Sequence, residues 1–147
     1  MNVLSLFDGC SCTQVALERA GIRVDSYYAS EVDKYAIQVT QSNYPETIQT
    51  GSVVGLCGYN IQDIGLIIGG SPCQGFSNAG KKQNFNDTRS GLFWHFVRIL
   101  KELQHKQPDV YFLLENVVMK QEWQDVITEA LGVEPIKINS ALVSPRS

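Results

Sequence analysis

Short apolar runs alternate with helical-period segments along most of the chain. Val3 to Leu6 is the first run, and it opens into "FDGCSCT". The following segment sets Val15, Ala16, Leu17 and Ala20 on one helical face, with Gly21 as its C-cap. "VDSYYAS" predicts a second strand. Asp33 to Tyr44 predicts a second helix, with Ile37, Thr40 and Tyr44 at helical spacing and Pro45 closing it. A short strand around Thr47 to Gln49 leads into a glycine-punctuated loop. "DIGLIIGG" has the continuous apolar character of a strand buried on both faces. Residues 70–89, dense in Gly, Ser and Asn, read as loop. Leu92 to Leu103 is an amphipathic helix with Phe93, Phe96, Val97, Leu100 and Leu103 on its apolar side. "DVYFLLEN" reads as another buried strand, Gln121 to Leu131 as a helix capped by Gly132, and Pro135 to Leu142 as a last strand.

Strands alternating with helices predict an α/β fold, a mainly parallel sheet with flanking helices and right-handed crossovers. No internal repeat or low-complexity linker interrupts it. In such sheets ligands bind outside the carboxyl ends of the strands, near the point where strand order reverses. The residues expected there are Asp8, Glu31, Cys73 and Glu115. Carboxylates and a thiol gathered on one edge are poorly explained by packing.

Length and composition narrow the class. A chain of 147 residues, 44% hydrophobic and 18% charged, fits one globular domain with its own core. "MNVLSLFDG" lacks the basic and apolar stretches of a signal peptide, and no apolar run is long enough to span a membrane. Cys10, Cys12, Cys57 and Cys73 show no metal-ligand spacing, so no metal is expected and the thiols read as reduced and cytosolic. Cys10 and Cys12 read as small packing residues. The net charge of −3 does not announce a nucleic-acid binder. Residues 78–106, however, concentrate Lys81, Lys82, Arg89, Arg98, Lys101 and Lys106, which from charge alone read as a solvated loop and helix face.

Each strand-end residue has a chemical and a plain reading. "FDGCSCT" stands where a Rossmann-like fold cradles a nucleotide, although it lacks the GxGxxG spacing, and Phe7 either stacks on a base or belongs to the core. Glu31, about twenty residues on, can accept hydrogen bonds from ribose hydroxyls or stabilise the helix that begins near Asp33. Cys73, between Pro72 and Gln74, is either an accessible nucleophile or an unreactive loop thiol. Glu115 can protonate or hydrogen-bond a substrate nitrogen, or serve as a helix cap or ion-pair partner. His95 and His105 belong to the amphipathic helix and give little support to a Cys–His site.

The ordered set "FDGCSCTQVALERAG", "YYASEVDKYA", "GGSPCQGFS", "DTRSGLFWHFVRIL" and "LLENV" resembles the cofactor and catalytic motifs of the C5-cytosine DNA methyltransferases, from Leu4 to about Val143. The resemblance implies a Rossmann-like fold that uses S-adenosylmethionine and leaves S-adenosylhomocysteine. Phe7, Asp8, Gly9, Ser11, Cys12, Val32, Ser52, Pro72 and Leu92 would hold that cofactor, with Glu31 on its ribose hydroxyls. Cys73 would be the nucleophile that adds to C6 of cytosine and makes C5 reactive. Glu115 would bind the cytosine edge, braced by Asn116. Because C6 is unreachable inside a duplex, the base would be flipped out. The loop Asn78 to Arg89 would close over it, with Gln74, Ser77, Lys81, Lys82, Arg89 and Asn116 meeting the DNA.

The chain departs from that pattern at Thr13, where a glycine is usual and a Cβ would crowd the methionine end of the cofactor. It departs at Ser52, where an aspartate on adenine is usual. It also stops at "NSALVSPRS", where the family continues into a target-recognition domain and a returning helix. The fold is therefore expected to be incomplete at the C-terminus, with an apolar edge that favours self-association or pairing with a separate C-terminal half. The expected setting is the cytoplasm of a bacterial or phage-type host, with DNA as partner and no membrane. Other readings are an inactive truncated relative that binds nucleic acid or a partner, a tRNA cytosine-5 methyltransferase, and a dinucleotide oxidoreductase with a redox cysteine. Cofactor affinity, activity on tRNA and NAD binding respectively discriminate them.

Overall fold

The computed structural model describes residues 1–71 and 91–142. Five strands form one parallel sheet: β1 (Asn2–Leu6), β2 (Ser26–Ser30), β3 (Ile48–Gln49), β4 (Ile64–Gly70) and β5 (Tyr111–Glu115), in the order β3-β2-β1-β4-β5. Four helices accompany them, α1 (Cys12–Arg19), α2 (Lys34–Asn43), α3 (Gly91–Lys106) and α4 (Gln121–Leu131). Chain order reverses at β1, which pairs with β2 on one side and β4 on the other. In an open parallel sheet such a reversal marks where ligands bind, outside the carboxyl ends of the strands.

Strand alternation divides the core between the two faces. Leu4 and Leu6 of β1, with Ile64 and Ile67 of β4, pack with Phe96, Ile99, Leu100 and Leu103 of α3. Val3 of β1 turns the other way, to Leu17 of α1 and to Tyr27 and Ala29 of β2. A third cluster, Phe93, Val97 and Met119 with Trp123 and Ile127, seats α4 beside α3. α3 is the best-buried helix because its apolar side carries large residues at every turn, including the fully buried Phe93, Phe96 and Ile99.

Several sequence expectations change here. The predicted last strand over Pro135 to Leu142 is absent: residues 134–139 are irregular and end in a 3-10 turn, Ser140–Leu142. Ile136 and Ile138 alternate as a strand would, but they stand 88% and 78% exposed and, among the described residues, pair with no strand. β5 is not buried on both faces. It is an edge strand, with Tyr111, Leu113 and Glu115 outward and Phe112 and Leu114 inward. The face assigned to the first helix is narrower than its spacing suggests, since only Leu17 is buried while Ala16 and Ala20 are exposed. The helix at 121–131 matches its expected bounds, with Gly132 at φ 72° ending it.

Among the described residues no helix is long and apolar enough to cross a membrane, and no cluster of His, Cys, Asp and Glu could hold a metal ion.

β4 and β1 approach so closely that a Cβ on Gly69 would stand 2.7 Å from the Leu6 carbonyl oxygen and 3.3 Å from its Cβ. The obstacle is paired backbone, which cannot rotate away. Gly69→Ala should therefore destabilise the fold by about 1–3 kcal/mol, read as a lower urea midpoint at constant m. An unchanged midpoint would mean the two central strands separate more easily than their pairing indicates.

Candidate functional site

The segment leaving β1 has an unusual backbone. Phe7, Gly9 and Ser11 all have φ near +57° to +58°. For residues with a Cβ such a conformation costs roughly 1–2 kcal/mol each, so Phe7 and Ser11 need compensation. Asp8 supplies it. Its carboxylate accepts from the Ser11 hydroxyl on one oxygen and from the Tyr27 hydroxyl on the other, the latter at 2.6 Å. Thr40 of α2 donates to Ser11 Oγ at 3.1 Å and to the Gly9 carbonyl at 3.4 Å. Phe7 packs against the α3-side core, which favours the core reading of that ring over the stacking one.

The second strand end is bonded to the first. Glu31 follows β2, and its Oε2 accepts from Gly9 N at 2.8 Å. Its Oε1 accepts from Val32 N and Asp33 N at 2.7 and 2.9 Å. The helix that follows is capped by Asp33, whose Oδ1 accepts from Tyr35 N and Ala36 N. With Asp33 as cap, Glu31 is spared that duty and joins two loops instead. A carboxylate offers about four acceptor positions, and three are used. The third strand end is tied in as well: Ser30 Oγ donates to the Gly51 carbonyl at 2.6 Å. Ser52 Oγ then accepts from Val54 N at 3.2 Å, closing the turn after β3.

Three adjacent strand ends thus form one hydrogen-bonded rim. Its donors and acceptors fit a hydroxyl-rich nucleoside cofactor. Glu31 keeps one acceptor position of the kind a ribose hydroxyl can use. An added Cβ at Gly9 would meet nothing within 4 Å, so the space beside that loop is open.

The other predicted residues are placed as follows. Cys10 and Cys12 are exposed, which corrects their reading as packing residues, because the left-handed turn at Ser11 sends both away from the core. Val32 is 72% exposed beside Glu31. Leu92 packs at the margin of the α3-side core. Glu115 ends β5 opposite Gly70, where an added Cβ would stand 3.0 Å from Glu115 Oε2. Asn116 Nδ2 donates to Ser71 Oγ at 3.2 Å and its Oδ1 accepts from Val117 N; among the described residues no hydrogen bond joins it to Glu115. The short step from β5 turns that side chain towards β4. Pro72, Cys73, Gln74, Ser77, Lys81, Lys82 and Arg89 lie outside the described residues.

Tyr27 and Thr40 belong to the rim and were not singled out by sequence. The available signal was a hydroxyl at a core position of each element. Thr13, in the first turn of α1, is half-buried. Burial first, then the Asp8 charge, pushes the Tyr27 hydroxyl well above its ordinary pKa.

Comparisons with known proteins bear on family and fold. The family model for C-5 cytosine-specific DNA methylase matches residues 1–125. An orphan methyltransferase of Bacillus phage SPR, M.SPRI, is 38% identical over 119 residues, covering 80% of this chain and 26% of that protein. M.Rho11sI of Bacillus phage rho11s is 40% identical over 119 residues, covering 80% and 23%. The chain thus spans about a quarter of the length of these relatives. Among solved structures, a mutant of Spodoptera frugiperda DNMT2 superposes with a TM-score of 0.65 at 25% identity, over 88% of this chain and 38% of that one. The S. pombe Dnmt2 methyltransferase superposes at 0.68, at 23% identity over 90% and 40%.

Because the raised Tyr27 group is neutral when protonated, its contribution is complete below the ordinary tyrosine pKa of about 10 and is lost as pH rises towards the folded value. Stability should therefore decline above about pH 10. Tyr27→Phe should cost about 1.5–3 kcal/mol at neutral pH and flatten part of the alkaline decline. Urea unfolding across pH checks both; parallel curves for the two proteins would remove Tyr27 from the rim's energetics.

Proposed function

The chain belongs to the C-5 cytosine-specific DNA methylases, and we propose that it is their cofactor-binding and catalytic portion, acting on cytosine in DNA. The observation that carries the reading is the bond from Gly9 N to Glu31 Oε2. It unites the β1 and β2 loops into one rim at the strand-order reversal, where a nucleoside is expected.

In this reading Glu31 orients a ribose through its remaining acceptor position. Phe7, Asp8, Gly9, Ser11, Cys12, Val32, Ser52, Pro72 and Leu92 surround S-adenosylmethionine. That cofactor supplies an electrophilic methyl group when bound. Cytosine C5 is a weak nucleophile, so the protein must raise its electron density. Cys73, as thiolate, forms a bond from Sγ to C6, and the C5–C6 π electrons shift towards C5. Glu115 donates a proton to the ring's N3 as Sγ adds, neutralising the charge that the addition brings, and accepts from the amino group. The methyl group would pass to C5 as its bond to the sulfonium sulfur breaks, leaving S-adenosylhomocysteine; loss of the C5 proton to water then restores the double bond and expels Sγ as thiolate. Gln74, Ser77, Lys81, Lys82, Arg89 and Asn116 would contact the DNA around the flipped base.

Target choice and full activity are proposed to need sequence beyond this single domain, either a separate C-terminal half or a second copy. The exposed apolar side chains of Tyr111, Leu113, Val118, Ile136, Ile138 and Leu142 support that requirement. A host cytoplasm, bacterial or phage-infected, suits such a protein.

Calorimetric titration with S-adenosylmethionine tests the cofactor assignment. Micromolar binding is expected, weakened about tenfold or more by Glu31→Ala, which removes charged acceptors from the rim. Well-folded protein that binds nothing would overturn the reading. Sedimentation velocity tests the partner assignment: the sedimentation coefficient should rise with concentration. A clean monomer at high concentration would count against self-association.

A further inference from the structure

We infer that Arg98 and Glu102 of α3 are positioning residues that fix the turn carrying Ser52 and so determine how well the site reads the base of its cofactor. The inference rests on the cofactor assignment above and extends it to side chains whose charge reads, in sequence, as a solvated helix face.

After Gly51 the chain leaves the sheet, and residues 53–61 cross beside α3 without a strand partner. Their backbone groups are met by side chains instead. Arg98 Nη2 donates to the carbonyls of Val53 at 3.1 Å and Leu56 at 2.8 Å. Arg98 Nη1 donates to Glu102 Oε1 at 2.9 Å, while Glu102 Oε2 accepts from Gly58 N at 2.7 Å. Lys106, one turn further, donates to the carbonyls of Tyr59 at 2.8 Å and Ile61 at 3.0 Å. These bonds are charge-assisted, and the Glu102 side chain is only 17% exposed, so solvent competes weakly for it.

The fit beneath is close. Val53 is buried in the cluster that holds Phe96, Ile99 and Leu100. An added Cβ at Gly58 would stand 3.0 Å from both the Ile99 carbonyl oxygen and Glu102 Cβ. The loop therefore has one seat on α3. Its near end is the Ser52 turn, closed by Gly55 N donating to the Ser52 carbonyl at 3.2 Å and by Val54 N donating to Ser52 Oγ. On one side this turn is fastened to β2 through Ser30, and on the other to α3 through Arg98. A base edge is read by polar groups held in place before the ligand arrives. Arg98 does this through backbone, without touching the ligand. A planar guanidinium can reach two carbonyls and a carboxylate at once, which an ammonium cannot match in geometry.

The test compares S-adenosylhomocysteine with its hypoxanthine analogue, S-inosylhomocysteine, by calorimetry on the 147-residue chain. Wild type should prefer the adenine compound by about tenfold or more. Arg98→Met, which keeps the apolar stem, should reduce that preference to about threefold or less while leaving the weaker ligand's affinity nearly unchanged. If Arg98→Met does not fold, Glu102→Gln is the second variant, expected to narrow the preference in the same direction. Equal loss for both compounds, no loss for either, or a wild type that ignores the base would overturn the inference. Wild-type protein that binds neither compound would instead overturn the cofactor assignment on which it rests.

Discussion

The Asp8 carboxylate is the interaction on which the described site depends. Without acceptors for the Ser11 and Tyr27 hydroxyls, the loop after β1 would have no return for its left-handed backbone at Phe7 and Ser11. That backbone is what brings Gly9 N to Glu31 and turns Cys10 and Cys12 outward. The same carboxylate ties β1 to β2 through Tyr27, and Ser11 extends the network to α2 through Thr40. One acid therefore sets a loop, a strand contact and a helix contact together. Strain of this kind persists where surrounding structure over-determines it, and such places are commonly functional.

Most of the architecture was legible in the sequence because periodicity reports burial directly. The Leu92–Leu103 pattern marks α3 well, since its large apolar residues repeat every turn and are buried against the sheet or α4. The same logic misleads where no partner exists. Ile136 and Ile138 carry strand alternation, but alternation describes a face, and a strand also needs a neighbour to bond. β5 misleads for a related reason: "VYFLL" is as apolar as "LIIGG", yet one lies at the sheet edge and the other inside it. Composition cannot distinguish these positions.

The candidate site was legible where motif residues stand at strand ends, as Asp8, Glu31 and Glu115 do. Its support was not. Tyr27 and Thr40 look like ordinary strand and helix residues until folding places their hydroxyls beside Asp8 and Ser11. Arg98 and Lys106 look like solvated charges until residues 53–61 bring carbonyls to them. Supporting groups act on partners far away in sequence, forty-five and forty-five residues in these two cases, and no local pattern encodes that distance.

The described loops at the sheet's carboxyl edge are joined to one another. From β1 to β3 the loops are cross-linked by Gly9 to Glu31, Ser30 to Gly51 and Thr50 to Ala29. Between the ends of β4 and β5, Asn116 to Ser71 is the bond found among the described residues. A rim fixed before its ligand arrives loses little freedom on binding, which suits a small, constant cofactor. In the proposed reading, that fixed rim stands beside β1, where the parallel order reverses, so topology and hydrogen bonding converge on one place for the cofactor.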